Sequence, residues 1–163
     1  MKKIGLHGSR PMDVLLVEDS PGDVRLTKEA FRIANAAVNL HVAIDGVEAL
    51  AFLKRKDDLH MYCPRPDLNL LDLNMPKMDG REVLAYIKTD EYLKTIPVVI
   101  LTTSEYEGDI TRSYQLAANC YLNKPVELEE FESLVKSIND FWLTQVTWPR
   151  EAAPVNLELN PTL

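Results

Sequence analysis

Asp13-Val14-Leu15-Leu16-Val17 is a short run of mostly apolar, β-forming side chains. It stops at Glu18-Asp19-Ser20-Pro21-Gly22, which is turn chemistry. The pattern predicts a strand and then a loop, with Ser20 or Asp23 able to cap the helix that follows. In that helix Leu26, Ala30, Ile33 and Ala34 recur at helical spacing. A second strand is expected at about residues 39–44. Gly46 interrupts the chain, and Val47, Leu50, Ala51 and Leu53 mark a second helix. Beyond the Pro64-Arg65-Pro66 connection, Leu68 to Leu71 gives a third strand that ends at Asp72. Pro76 and Gly80 bracket a tight loop, and Val83, Leu84 and Ile87 mark helix three. Pro97 opens a fourth strand, Val98-Val99-Ile100-Leu101. A weak helix over about residues 107–118 leads to a short fifth strand, Cys120-Tyr121-Leu122. The last helix has the clearest pattern: Leu128, Phe131, Leu134, Val135, Ile138, Phe141 and Trp142 form one stripe.

Five strands thus alternate with five helices. The strands are apolar on both faces, as in a buried parallel sheet. Right-handed crossovers then place helices on both sides. The expected fold class is α/β, a doubly wound five-stranded parallel sheet. The domain is expected over residues 12–148. Residues 1–11 contain Lys2 and Lys3 but no apolar core, so they do not resemble a secretory signal; they are read as a leader with no role in the fold. Residues 149–163 contain Pro149, Pro154 and Pro161 and are expected to be an arm or a disordered tail.

Composition narrows the functions open to such a fold. A chain of 163 residues suits one domain. The net charge of −7 argues against direct nucleic-acid binding, which needs clustered Lys and Arg. No stretch approaches the roughly 18 apolar residues of a membrane span. Cys63 and Cys120 lie far apart and form no CxxC, which suits packing roles in a reducing cytoplasm. His7, His41 and His60 show no partner pattern, so a phosphohistidine relay within the chain is not expected.

In open parallel sheets, ligands bind beyond the carboxyl ends of the strands. Strand one ends in Glu18 and Asp19, strand three in Asp72 with Asn74 two residues on, strand four in Thr102, and strand five near Lys124. Each is ordinary alone: an Asp there is commonly a cap or turn residue, and a Lys a solvated charge. Together they put three carboxylates, a hydroxyl and an ammonium on one edge. Carboxylates so placed repel one another unless a cation intervenes, and an all-oxygen set with room for water favours Mg²⁺. An ionised Asp72 beside such an ion is a nucleophile towards phosphorus, with Thr102 and Lys124 able to bind the phosphoryl oxygens. Two rivals fit less well. A phosphatase with an Asp nucleophile wants an acid two residues on, where Asn74 stands. A flavin carrier wants a phosphate loop after strand one, where Glu18 and Asp19 would repel the phosphate.

The runs Val-Glu-Asp-Ser at 17–20, Leu-Leu-Asp-Leu-Asn-Met-Pro at 70–76 with Asp79-Gly80, Val-Val-Ile-Leu-Thr-Thr-Ser at 98–104 and Asn-Lys-Pro at 123–125 resemble those of bacterial response-regulator receiver domains. The resemblance covers about residues 13–140. The segments Pro64-Arg65-Pro66, Asp79 to Leu84, Asn119 to Leu122 and Phe141-Trp142-Leu143 are similar to the cyanobacterial phytochrome response-regulator subfamily of stand-alone receivers. The resemblance implies a flavodoxin-like strand order 2-1-3-4-5. It implies a non-enzymatic response regulator of a two-component phosphorelay, cytoplasmic, with a histidine kinase of bacteriophytochrome type as phosphodonor. It further implies Asp72 as phosphoacceptor, and a Mg²⁺ held by Asp72, by Asp19 directly, by Glu18 through water and by the backbone carbonyl of Asn74. Thr102 and Lys124 would bind the phosphoryl group, and Tyr121 would be the switch aromatic. The implied output surface is helix four, strand five and helix five, and this region, with Leu143, Val146 and Trp148 beyond the last helix, is expected to form a homodimer. The resemblance also implies a cis Lys124–Pro125 peptide bond.

Overall fold

The computed structural model describes residues 10–55 and 60–149. Residues 1–9 of the expected leader and residues 150–163 of the expected arm or tail therefore lie outside the described residues. Among the described residues ten elements alternate as β1 (Met12–Val17), α1 (Pro21–Ile33), β2 (Val38–Ala43), α2 (Gly46–Lys54), β3 (Leu68–Leu71), α3 (Gly80–Thr89), β4 (Val98–Thr102), α4 (Glu107–Gln115), β5 (Cys120–Asn123) and α5 (Leu128–Trp142). All strand pairings are parallel and the order is β2-β1-β3-β4-β5. The fold class and strand order expected from the sequence are those observed.

The sheet separates two apolar layers. Val14, Leu16, Leu68, Leu70 and Val99 pack with Ala30 and Phe31 of α1 and with Phe131, Val135 and Ile138 of α5. Leu15, Val17, Leu71, Val98 and Ile100 pack with α2 and α3 through Leu50, Leu53, Val83, Leu84 and Ile87. Alternate residues of each central strand serve opposite layers, which is why these strands carry almost no polar positions. The edge strand β2 is only partly buried. On α1 the buried face is Thr27, Ala30 and Phe31, and Ile33, read as part of the stripe, is exposed. Ile33 lies two positions past Phe31, about 200° further round the helix, and so falls off the buried face.

Caps fix where the helices on the site edge begin. Ser20 Oγ accepts from the Asp23 N–H (3.3 Å) at α1, and Asp45 Oδ1 from the Glu48 N–H (2.8 Å) at α2. Asp79 and Glu82 form a reciprocal capping box at α3. α4 and α5 have no side-chain cap, and α4 buries only Ser113, in keeping with its weak pattern.

One further expectation changes, and two contacts appear that no local pattern announced. The Lys124–Pro125 bond is trans, not cis; trans is the ground state of most X–Pro bonds, by about 0.5–1 kcal/mol. His41 has a partner, its Nε2 lying 2.9 Å from Asp13 Oδ1. That pairing joins β1 to β2 across 28 residues and leaves no local signal. Arg10, within the stretch assigned no role, reaches Asp13 at 3.1 Å and Asp67 at 3.0 Å.

Candidate functional site

The first, third, fourth and fifth strands all end on the same edge. Glu18 and Asp19 follow β1 directly, Asp72 follows β3, Thr102 closes β4, and Lys124 follows β5 by one residue. The register enforces this. Val17 stands beside Leu71, Leu71 beside Ile100, and Thr102 beside Asn123. Parallel strands in such register must deliver their next residues to one place.

Ligand oxygens of Glu18, Asp19 and Asp72 lie within 4.8 Å of one another. Glu18 and Asp72 are buried, and Asp19 is exposed. The Asp72 carboxylate is oriented by the Leu73 N–H, which donates to Oδ1 at 2.8 Å and leaves Oδ2 towards Lys124. The Lys124 side chain is only 5% exposed. Its ammonium donates to Glu18 Oε2, to Asp23 Oδ2 at 3.0 Å and to Asp72 Oδ2 at 3.3 Å. Glu18 Oε1 accepts from the Ser20 N–H at 3.0 Å.

The electrostatics follow from burial and pairing. Burial pushes the Glu18 carboxyl up to about 7, against the pull of Lys124 and the Ser20 amide. Burial alone would lower Lys124, but Glu18, Asp72 and Asp23 more than offset it and hold the ammonium above its ordinary range. Among the described residues, three carboxylates, Glu18, Asp23 and Asp72, pair with the Lys124 ammonium, and a fourth, Asp19, stands beside Glu18 and Asp72. Fully ionised, the cluster keeps three uncompensated negative charges in a partly dry pocket. Three convergent oxygen donors with that excess fit a hard divalent cation, which favours the ionised form of each carboxyl.

Thr102 is fully buried, and its Oγ1 is reached only at 3.5 Å by the Ser104 N–H. Asn74 lies in the exposed loop after β3. Tyr121 is half-buried, packs against the α2–α3 layer, and donates its hydroxyl to the Ser104 carbonyl at 2.9 Å. Asn123 Nδ2 donates to the same carbonyl at 2.7 Å. Ser104 Oγ in turn donates to Asp109 of α4, which Arg81 of α3 also holds. These bonds join Thr102's loop, the Tyr121 ring and two helices in one network.

Sequence reasoning named Glu18, Asp19, Asp72, Asn74, Thr102, Tyr121 and Lys124; the structure brings Glu18 and Asp72 into contact with Lys124 and sets Asp19 within 4.8 Å of both carboxylates. It missed Asp23, Ser104, Asp109 and Arg81. Asp23 carried one signal, its place in the first turn after a Ser cap, but that marks a helix start and not a partner 101 residues away. Beside the cluster a cleft of about 340 Å³ is lined by Glu18, Asp19, Val24, Arg25, Lys28 and Ile44, among others.

Comparison with known proteins places this geometry. The family model for the response regulator receiver domain matches residues 14–136. Response regulator Rcp1 of Synechocystis sp. is 48% identical over 139 residues, 85% of this chain and 94% of that protein. The crystal structure of its Mn²⁺-bound form superposes with a TM-score of 0.81, covering 86% of this chain and 100% of that one. The phosphorylated cyanobacterial phytochrome response regulator RcpA superposes with a TM-score of 0.82 at 46% identity, covering 86% of this chain and 99% of that one. Among the described residues, no helix is long and apolar enough to cross a membrane.

Proposed function

The chain belongs to the response regulator receiver family, and on that premise we propose that Asp72 is the residue on which it receives a phosphoryl group from a histidine kinase. The observation that carries the reading is the Asp72 carboxylate itself: buried, fixed through Oδ1, and presenting Oδ2 3.3 Å from a buried ammonium. In the transfer an Asp72 oxygen attacks the phosphorus of a phosphohistidine. The P–N bond breaks with its electron pair leaving on the imidazole nitrogen, which takes a proton from solvent, and a P–O bond to Asp72 forms. No base is needed, because an ionised carboxylate carries no proton to remove. Lys124 would follow the charge from Oδ2 onto a phosphoryl oxygen, and Thr102 would donate to another.

Glu18, Asp19 and Asp72, with the Asn74 carbonyl, would hold Mg²⁺. When bound, the ion neutralises charge on the incoming phosphoryl oxygens. The oxygen-only donor set supports a hard ion, and the relative Rcp1 has been seen with Mn²⁺. The likeness to the phytochrome response regulator RcpA supports a photoreceptor kinase of phytochrome type as the donor, and hence a cytoplasmic site of action.

The domain, residues 12–148, is then a phosphorylation-controlled binding module. A phosphoryl group on Asp72 draws Thr102 towards it, and Tyr121 leaves Ser104 and turns inward, changing the surface of α4, β5 and α5. Such a switch is a two-state element biased by a local charge. A homodimer is part of the proposal. Its support is the apolar end of α5, where Phe141 is 54% exposed and packs edge-on to Trp142. Trp148 packs back on Trp142 of its own chain, so Phe141, and not Trp148, is the more accessible anchor. A monomer in sedimentation at tens of micromolar, with and without phosphorylation, would overturn the dimer.

The test is radiolabelling from a phosphorylated histidine kinase or from acetyl phosphate. Labelling is expected only with Mg²⁺ and is expected to vanish in Asp72→Asn. Label persisting in that variant overturns the assignment, and repeated turnover of small phosphate esters would favour a phosphatase.

A further inference from the structure

An ammonium has three N–H donors, and Lys124 spends each on a different carboxylate: Glu18, Asp23 and Asp72. Two of these three belong to the acidic cluster that fits a divalent cation. Asp23 does not; the cluster is Glu18, Asp19 and Asp72. A cation and the ammonium therefore compete for Glu18 and Asp72. Among the described residues, only Asp23 offers Lys124 a carboxylate outside that competition.

Asp23 is also well placed to act as such an anchor. It sits in the first turn of α1, where its N–H is capped by Ser20 Oγ at 3.3 Å. Its carbonyl accepts from Thr27 Oγ1 at 2.7 Å, and Thr27 is buried. Its backbone is thus fixed on both sides. The positive end of the helix favours its charge. An acidic residue in a first turn commonly does no more than that, but this one also reaches 3.0 Å to a buried ammonium 101 residues further along the chain.

We propose that Asp23 is a positioning residue that draws Lys124 aside, so that a divalent cation can occupy the Glu18–Asp19–Asp72 cluster while the ammonium stays within reach of a phosphoryl group on Asp72. The inference rests on the phosphoacceptor reading above and adds a residue to it. Without Asp23, the ammonium falls back on Glu18 and Asp72 and opposes the ion.

The rival explanation is that any negative charge nearby attracts a cation. A double-mutant cycle separates the two, because only the proposed role works through Lys124. Mn²⁺ alone is titrated by calorimetry into wild type, Asp23→Asn, Lys124→Met and the double variant. Asp23→Asn is expected to weaken Mn²⁺ binding about fivefold in wild type, roughly 1 kcal/mol. In the Lys124→Met background the same change is expected to weaken it less than twofold. Asp23→Glu is expected to retain most of the affinity. Equal weakening in both backgrounds overturns the proposal, as does no weakening in wild type. Should Asp23→Asn or Lys124→Met lose its cooperative urea transition, Asp23→Ser and Lys124→Gln replace them in the same cycle with the same criteria. Phosphoryl labelling of Asp72 is measured alongside. A failed cycle with labelling still confined to Asp72 removes the role of Asp23 alone, whereas labelling that ignores Asp72 removes the reading beneath it.

Discussion

Replacing Gly80 with Ala should injure both the fold and the acceptor, because of how close the start of α3 lies to Asp72. A Cβ built on Gly80 would stand 2.0 Å from the Asp72 carbonyl oxygen and 2.7 Å from Leu73 Cα. Carbon–oxygen contacts ordinarily begin at about 3.3 Å, so the two backbones must separate by roughly 1.3 Å. No side-chain rotation can relieve this, since the crowded atoms are backbone. The approach is pinned by the Gly80 N–H, which donates to Leu73 O at 2.8 Å, and on the other side by β3 between β1 and β4. Overpacking typically costs 1–3 kcal/mol, and this site lies at or beyond the upper end, about 3 kcal/mol. That is a large part of the 5–15 kcal/mol that holds a domain folded. It corresponds to a fall in Tm on the order of 10 °C. A shift of about 1 Å in a reacting group can also cost 100-fold in rate. The assay is urea unfolding followed by tryptophan fluorescence, with labelling from acetyl phosphate measured on the folded variant. Gly22→Ala is the control: its nearest neighbour is Ser20 Oγ at 3.8 Å, in an exposed helical turn, and it should be neutral or slightly stabilising. A Gly80→Ala protein with wild-type midpoint and labelling rate would refute the reasoning.

Asn69 of β3 is fully buried, and neither its Oδ1 nor its Nδ2 has a hydrogen-bond partner in the protein. Asn69→Leu, of similar shape, should raise the urea midpoint by the equivalent of about 1–3 kcal/mol; a lowered midpoint would mean that the amide is satisfied. Ser104 and Arg81 hold the Asp109 carboxyl below its usual range. Its contribution to stability is therefore complete above the unfolded value of about 3.9 and lost as pH falls through the lower folded value. Asp45, held down by the Glu48 amide at its helix cap, has the same sign. Asp109→Asn should flatten the acid limb of a urea-midpoint profile against pH, and an unchanged slope would count against the pairing.

What the sequence made legible was local. The bounds of β3 followed from an apolar run held between Pro66 and Asp72, and the observed strand is Leu68–Leu71. The strand-end positions of Glu18, Asp19, Asp72, Thr102 and Lys124 followed from the same logic, because a parallel sheet sends every strand end to one edge. Gly80 was legible as punctuation but not in its reason. Among the described residues no glycine has positive φ, so Gly80 is required by space and not by backbone angle. Phe31 was overlooked on α1, where the stripe was drawn through Ile33. Illegible throughout were pairings between distant elements: Lys124 with Asp23, Arg81 with Asp109, His41 with Asp13. Their partners are chosen by tertiary packing, and no local pattern encodes them.

Phosphorylation of this receiver makes one bond, between phosphorus and a carboxylate oxygen of Asp72. An acyl phosphate is reduced by borohydride, whereas a free carboxylate is not. The chain would be treated with acetyl phosphate and Mg²⁺, reduced, digested and sequenced by mass spectrometry. The expected result is homoserine at position 72 alone, and none when Mg²⁺ is chelated before the phosphodonor is added. Reduction at another carboxylate, or a phosphorylated chain with residue 72 unmodified, would contradict it.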